Sequence, residues 1–273
     1  MKKLLIMLVA TSMMAGVNAQ EAAEKKILAG LTLGTGLNFN NPQTNAINSN
    51  VGGDFYAGMA LDWHFLSNIA LSTGLEFEFN RFRHEFNLDT YFDYSDKVIL
   101  QRGKDQDITV PPNTDDGAFQ LDERRYRNIY LNLPIMLRFQ TNYMGYLRYF
   151  GKFGLRNSFL LSTRADNFGQ SLDDSNTELE DMQNPGDLSF YKGSLGLSVG
   201  AEWNFAGSTC LVAELGFYYG ISEVHKQDAL GDNPDRNKSL YTYTEDENGD
   251  LVRGYYSPTA KQNQLILKVA FLF

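Results

Sequence analysis

Eight stretches of this 273-residue chain alternate between apolar and polar side chains with a period of two, and no other feature constrains the fold as strongly. The clearest lies at residues 261–273. Counting back from Phe273 in steps of two gives Phe271, Val269, Leu267 and Leu265, all apolar. The intervening Leu272, Ala270, Lys268, Ile266 and Gln264 form a mixed set that carries a charge. Successive side chains of a β-strand point to opposite faces, so this is a strand with one apolar face. The same alternation runs through 27–39, 55–65, 69–79, 129–139, 147–159, 191–205 and 211–221.

The opening residues read as a secretory leader, 1–19. Lys2 and Lys3 supply the positive start, 4–16 carry no charge, and Val17-Asn18-Ala19 precedes Gln20 as a small-residue cleavage site. Residues 20–273 are then expected to form one domain. Beyond the leader no run of eighteen apolar residues exists, so no transmembrane helix is expected. The only cysteine, Cys210, has no partner for an intramolecular disulfide, and none stands early enough for a lipidated start. An exported chain of this kind is a soluble periplasmic protein or an outer-membrane β-barrel. A mean hydropathy of −0.33 fits the barrel, because only alternate residues would touch lipid and the loops are polar. The formal charge is −9, about −11 once the two leader lysines are removed, and argues against nucleic acid as a partner.

The connections decide between the two classes. Leu66-Ser67, 140–144 and 206–208 are short, whereas 40–50, 87–123, 162–188 and 222–260 are long. Short turns at one end and long loops at the other are the habit of outer-membrane barrels, with the short turns periplasmic. Trp63, Phe65, Phe139, Trp203, Phe205, Phe271 and Phe273 gather beside the short turns, and Phe39, Phe55, Phe77, Phe79, Phe159, Tyr191 and Tyr219 toward the long loops. Two aromatic belts match two membrane interfaces. The expected fold is all-β: an eight-stranded antiparallel transmembrane barrel with the apolar set facing lipid. Residues Leu265, Leu267, Val269, Phe271 and Phe273 resemble the terminal signal that the barrel-assembly machinery reads.

The opposite face supplies the lumen. It carries Asp54, Asp62, Glu76, Glu78, Arg138, Arg148, Lys152, Arg156, Lys192, Glu202, Glu214 and Lys268, charges of both signs. Eight strands enclose a space that side chains can fill, and buried charges must be paired. We expect a network of Asp62, Glu76, Arg138, Arg148, Lys152, Glu202, Glu214 and Lys268, with pairing across the short-turn half; a narrow ion path is the alternative. At the other rim Arg81, Arg83, Arg125 and Arg127 share the lipid-facing parity on two adjacent strands, which makes them candidates for gripping lipopolysaccharide phosphates. No catalytic group is expected: His64 faces inward, while His84 and His225 lack triad spacing. No metal or cofactor is expected either, since the acidic stretches around Asp173 and Glu178 follow no ligand spacing. Residues 240–244 and 251–256 flank Asn248-Gly249 as a hairpin. Its tyrosines, Tyr241, Tyr243, Tyr255 and Tyr256, suit a partner-binding surface.

Residues 130–139, Y-L-N-L-P-I-M-L-R-F, resemble the Y-L-x-[IL]-P-[IL]-x-[LI]-[KR]-[FY] segment of the PorT-like outer-membrane β-barrel family of Bacteroidota. The glycine-rich first strand, the Trp-x-Phe hairpins and the terminal strand fit the family as well. The resemblance implies a small outer-membrane barrel. Its founding member resembles a component of the type IX secretion apparatus, which makes a secretion or envelope assembly subunit the alternative to a structural or partner-binding role at the cell surface.

Overall fold

The structure is a computed structural model that describes residues 27–93, 118–171, 178–182, 188–206, 209–225, 240–245, 249, 251–256 and 259–273. The expected leader, 1–19, lies outside them. Twelve strands are described: β1 (Ile27–Pro42), β2 (Ile47–Ser49), β3 (Gly52–Leu66), β4 (Ile69–Asp93), β5 (Ala118–Gln140), β6 (Leu147–Ser171), β7 (Glu178–Met182), β8 (Tyr191–Ala206), β9 (Thr209–Gly220), β10 (Leu240–Glu245), β11 (Leu251–Tyr256) and β12 (Ala260–Leu272).

Eight of them close a ring. Neighbours pair antiparallel in the order β1, β3, β4, β5, β6, β8, β9 and β12, and β12 returns to β1 through Leu31↔Phe271 and Leu37↔Leu265. Closure leaves the ring without an edge, so the backbone satisfies its hydrogen bonds internally, as a lipid environment demands. Leu31, Leu33, Leu75, Phe77, Phe153, Leu197, Leu215 and Leu267 are exposed on the outside, whereas Asp62, Glu78, Arg138, Arg156 and Glu202 are buried inside. The alternation is therefore that of a barrel in lipid.

Two local features follow from residue chemistry. The β4–β5 register passes from Thr73↔Ile135 to Glu76↔Asn132 without the pairs between. Pro134 lies in that gap and has no N–H to donate, and the Thr73 hydroxyl donates instead to its carbonyl at 2.8 Å. At the short-turn end, Gly145 takes a φ of 69°, the left-handed conformation that its lack of Cβ permits.

The strands run further than the alternation alone suggests. β4, β5 and β6 have 25, 23 and 25 residues, against 16 in β1 and 12 in β9. Pairing continues up to Asp93↔Ala118 and Phe119↔Ser171. The expected loops 87–123 and 162–188 are thus largely strand where they are described, and the three long strands rise above the ring as a sheet. β2, inside the expected loop 40–50, pairs with β4 through Ile47↔Phe86. β7 covers the other flank through Phe168↔Glu178. Within the expected loop 222–260, β10 and β11 form the anticipated hairpin, and β10 meets β4 at Tyr241↔Tyr91. The apolar alternation does not announce these strands, because their exterior is polar. The β3–β4 turn is also Ser67-Asn68 rather than Leu66-Ser67, since Leu66 pairs with Ile69.

Candidate functional site: the lumen and its outer rim

The lumen fills in tiers from the short-turn end. In the lowest, the Arg138 guanidinium reaches both Asp62 and Glu202, and all three side chains are buried. Arg148 donates to Glu202 at 2.8 Å, and Tyr143, from the turn after β5, donates its hydroxyl to the same carboxylate at 2.7 Å. Tyr143 stands outside the spanning strands; burial and the hydrogen bond to Glu202 push its phenol well above the usual range. The Arg138 guanidinium also lies 4.2 Å from the centre of the Phe150 ring.

The middle tier pairs Lys152 with Glu214 at 2.7 Å and Lys268 with Glu76 at 2.6 Å. Arg156 stands 3.5 Å from Glu76 and from Glu78, 4.5 Å from the centre of the Tyr56 ring and 5.1 Å from that of Tyr218. Tyr218 can reach Arg156 because glycines flank it: a Cβ on Gly196 would lie 2.5 Å from the ring and one on Gly216 2.8 Å. In the upper tier Lys192 donates to Glu78 and Gln262, both at 2.8 Å. Asp54 is held by neutral donors, Asn38 and Asn80 at 2.7 Å, Gln264 at 2.8 Å and Tyr56 at 2.9 Å.

All eight charges of the expected network thus line the lumen, and Arg156, Lys192, Glu78 and Asp54 join them. The pairing differs in one respect. Glu214 and Lys268 were expected to pair within the short-turn half. They pair instead with Lys152 and Glu76, because each carboxylate is taken by the cation nearest in its own tier. A cavity of about 40 Å³ remains among Asp62, Glu76, Lys152, Glu214 and Lys268, which is room for about three waters.

Above the upper tier an apolar cluster enters the interior, together with the buried Arg124, whose Nε donates to Asn167 at 2.6 Å. Phe82, Tyr126, Ala165, Leu188 and Val224 form a buried cluster, with Phe82 and Tyr126 stacked at 4.7 Å. His84 and His225 sit against it, buried, with their Nε2 atoms 3.1 Å apart. Inward parity was the only sequence signal for His84, and none existed for His225. His64 lies at the opposite end of the lumen, 3.3 Å from Arg148. No group of three or more His, Cys, Asp or Glu side chains that could hold a metal occurs among the described residues.

At the outer rim the four candidate arginines are exposed and adjacent, Arg81 opposite Arg127 and Arg83 opposite Arg125. They stand within strands rather than at strand ends, because β4 and β5 continue past them. The terminal residues Leu265, Leu267, Val269, Phe271 and Phe273 are exposed on the outer face, those up to Phe271 within β12. Of the belt residues, Phe205 falls outside the side chains described. So do Tyr255 and Tyr256 of the hairpin, while Tyr241 and Tyr243 cluster with Tyr91 at 5.8 and 5.2 Å.

A family comparison agrees with this architecture. The family model of the outer membrane protein beta-barrel domain matches residues 18–226. Among solved structures, the chain is similar to the outer membrane protein OprG from Pseudomonas aeruginosa, at 9% identity over 90% of this chain and 93% of that one, with a TM-score of 0.41. It is also similar to the attachment invasion locus protein Ail of Yersinia pestis, at 10% identity over 90% and 98%, with a TM-score of 0.32. A third is a major outer membrane protein from Thermus thermophilus, at 16% identity over 90% and 99%, with a TM-score of 0.35. No curated protein matches the chain in sequence. With a model match over more than half of its residues, the chain belongs to the outer membrane protein beta-barrel domain family.

Proposed function

We propose that this barrel is a non-catalytic anchor that conducts no solute and presents a β-structured extension to partners at the cell surface. The observation that carries the reading is the filled lumen. Ion pairs run from Arg138 through Lys268 and Arg156 to Lys192, and the apolar cluster around Phe82 and Tyr126 lies above them. A path for ions would require water and open charge where these side chains stand. In this reading the leader directs export, and the assembly machinery recognises the segment around Leu265 and Phe271 during insertion. The partner surface is the top of the extension, where the half-buried Tyr91 and Tyr243 pack on the buried Tyr241; tyrosines combine contact area with little entropy loss on binding.

Bilayer recording of the full chain, purified in the form whose gel mobility shifts on boiling, tests the proposal. A silent membrane at protein densities where a porin conducts is the expected result. Reproducible single-channel steps would overturn it.

A second reading, a subunit of a type IX secretion or other envelope assembly machine, rests on the PorT-like segment 130–139. Crosslinking in intact cells before solubilisation separates the two. Capture of secretion components supports the subunit, and capture of a surface partner alone supports the anchor.

A further inference from the structure

The outward side chains of β4, β5 and β6 change character at one level. Phe79 faces Ile129, and the next outward pair is Arg81 with Arg127. Arg164 of β6 stands opposite Arg127 and completes a row of three arginines. The row above is Arg83, Arg125 and Asp166, and the one above that Glu85, Glu123 and Phe168. Like charges placed directly opposite across strands destabilise an antiparallel pair, so the sheet itself gains nothing from such a row.

The described carboxylates that pair with Arg83, Arg125 and Arg127 lie farther from the apolar band. Arg125 touches Glu123, Arg83 lies 3.4 Å from Glu85, and Arg127 reaches up to Asp166 at 2.7 Å. The Arg81 guanidinium forms no ion pair among the described residues. The three rows hold five arginines and three acidic residues, in a chain of net charge −9. Two residues along a tilted strand climb about 5 Å, which sets the arginine row at headgroup height above Phe79 and Ile129. The planar guanidinium fork matches the oxygens of a phosphate, and near a low-dielectric boundary such a pair is screened less than in bulk water.

We propose that Arg81, Arg127 and Arg164 form a binding site for the phosphates of an outer-leaflet lipid, the lipid A of lipopolysaccharide, with Arg83 and Arg125 as a second row. The site rests on the outer-membrane reading but not on the absence of conductance. A bound phosphate relieves the repulsion along the row and fixes the height at which the barrel sits in the leaflet.

The test uses the full heat-modifiable chain in detergent, with native mass spectrometry against bis-phosphorylated lipid A, the same lipid dephosphorylated, and inorganic phosphate. Dephosphorylation, or the triple variant Arg81→Gln, Arg127→Gln, Arg164→Gln, is expected to weaken lipid A retention at least about tenfold. Replacement of the three by lysine should give an intermediate loss, since the charge stays and the fork is removed. Equal retention of the dephosphorylated lipid by the unaltered protein would overturn the site whether or not the variants fold. Displacement of lipid A by millimolar inorganic phosphate would overturn the lipid assignment. A chain with no heat-modifiable form would instead overturn the barrel reading.

Discussion

The spanning ring and the three-strand extension above it share one alternation and reverse its chemistry. On β4, Leu75, Phe77 and Phe79 point out while Glu76, Glu78 and Asn80 point in; two residues later Arg81 and Arg83 point out while Phe82 and His84 point in. β5 changes at the same height, from Ile129 outside and Asn128 inside to Arg127 outside and Tyr126 inside. The β4–β5 register does not slip there, since Phe79↔Ile129 and Arg81↔Arg127 are successive outward pairs, and the β5–β6 register shifts by one residue between Ile129 and Tyr130 while Arg127 stays paired with Arg164. What changes on β4 and β5 is the solvent. Where the exterior is lipid, apolar groups go outside and the interior must neutralise its own charges. Where the exterior is water, an apolar cluster around Phe82 moves inside, and the buried Arg124 there is held by Asn167. The reversal on both faces marks the membrane surface more sharply than the aromatic belt does.

The largest effect that this comparison predicts is in the ring. Arg138→Met leaves the buried Asp62 and Glu202 with their shared cation gone. Breaking a buried pair by removing one partner costs about 3–5 kcal/mol. Urea unfolding in lipid vesicles, followed by the fluorescence of Trp63 and Trp203, should show a loss of that size. Adding Asp62→Asn should return part of it, because the charge left uncompensated disappears, whereas Glu202 keeps Arg148. No recovery would mean that Arg138 acts through packing on Phe150 instead.

An exterior substitution sharpens the comparison. Leu75 lies midway between Leu71 and Phe79 on the lipid face of β4. Leu75→Arg should cost about 2–4 kcal/mol in the same assay, the usual penalty for a cation at the bilayer midplane. At the outward position Arg83, only four outward positions higher on β4, an arginine is native. Equal tolerance at both positions would remove the boundary placed between Phe79 and Arg81.

Phe82→Ala probes the apolar interior of the extension. Truncating a buried phenylalanine costs about 3 kcal/mol in a close-packed core, but here the loss should stay local. Hydrogen exchange in β4 above Phe82 and in β5 before Tyr126 should quicken, while the unfolding midpoint of the ring holds. A shift of both would show one cooperative unit in place of two.

Much of this was legible in the sequence wherever one principle acted alone. The period of two located all eight ring strands because lipid demands an apolar exterior along the spanning part of each. The parity of Glu76, Arg138 and Lys268 placed them in the lumen for the same reason. Partner choice was not legible, because parity does not give height. Lys268 and Glu76 meet only through strand stagger across the ring. The part of the extension within 87–123 was not legible as strand because outward residues such as Asp89 and Glu123 offer no apolar exterior to lipid. His84 and His225, 141 residues apart, meet through long-range packing that no local pattern announces.

The smallest expected effect lies on the exterior of the extension. Arg83 and Glu123 approach to 3.9 Å with side chains 44% and 19% exposed. Water and salt screen such a pair, and the chain loses side-chain freedom to hold it, so its net worth is about 0–1 kcal/mol. The lumen pairs around Arg138 share the same functional groups but exclude water. A double-mutant cycle of Arg83→Gln and Glu123→Gln should therefore give a coupling near zero that vanishes in high salt. The corresponding cycle of Arg138→Gln and Glu202→Gln should give a large coupling that salt does not reach. If the two couplings were alike, solvent would not be the variable that separates these two halves of one sheet.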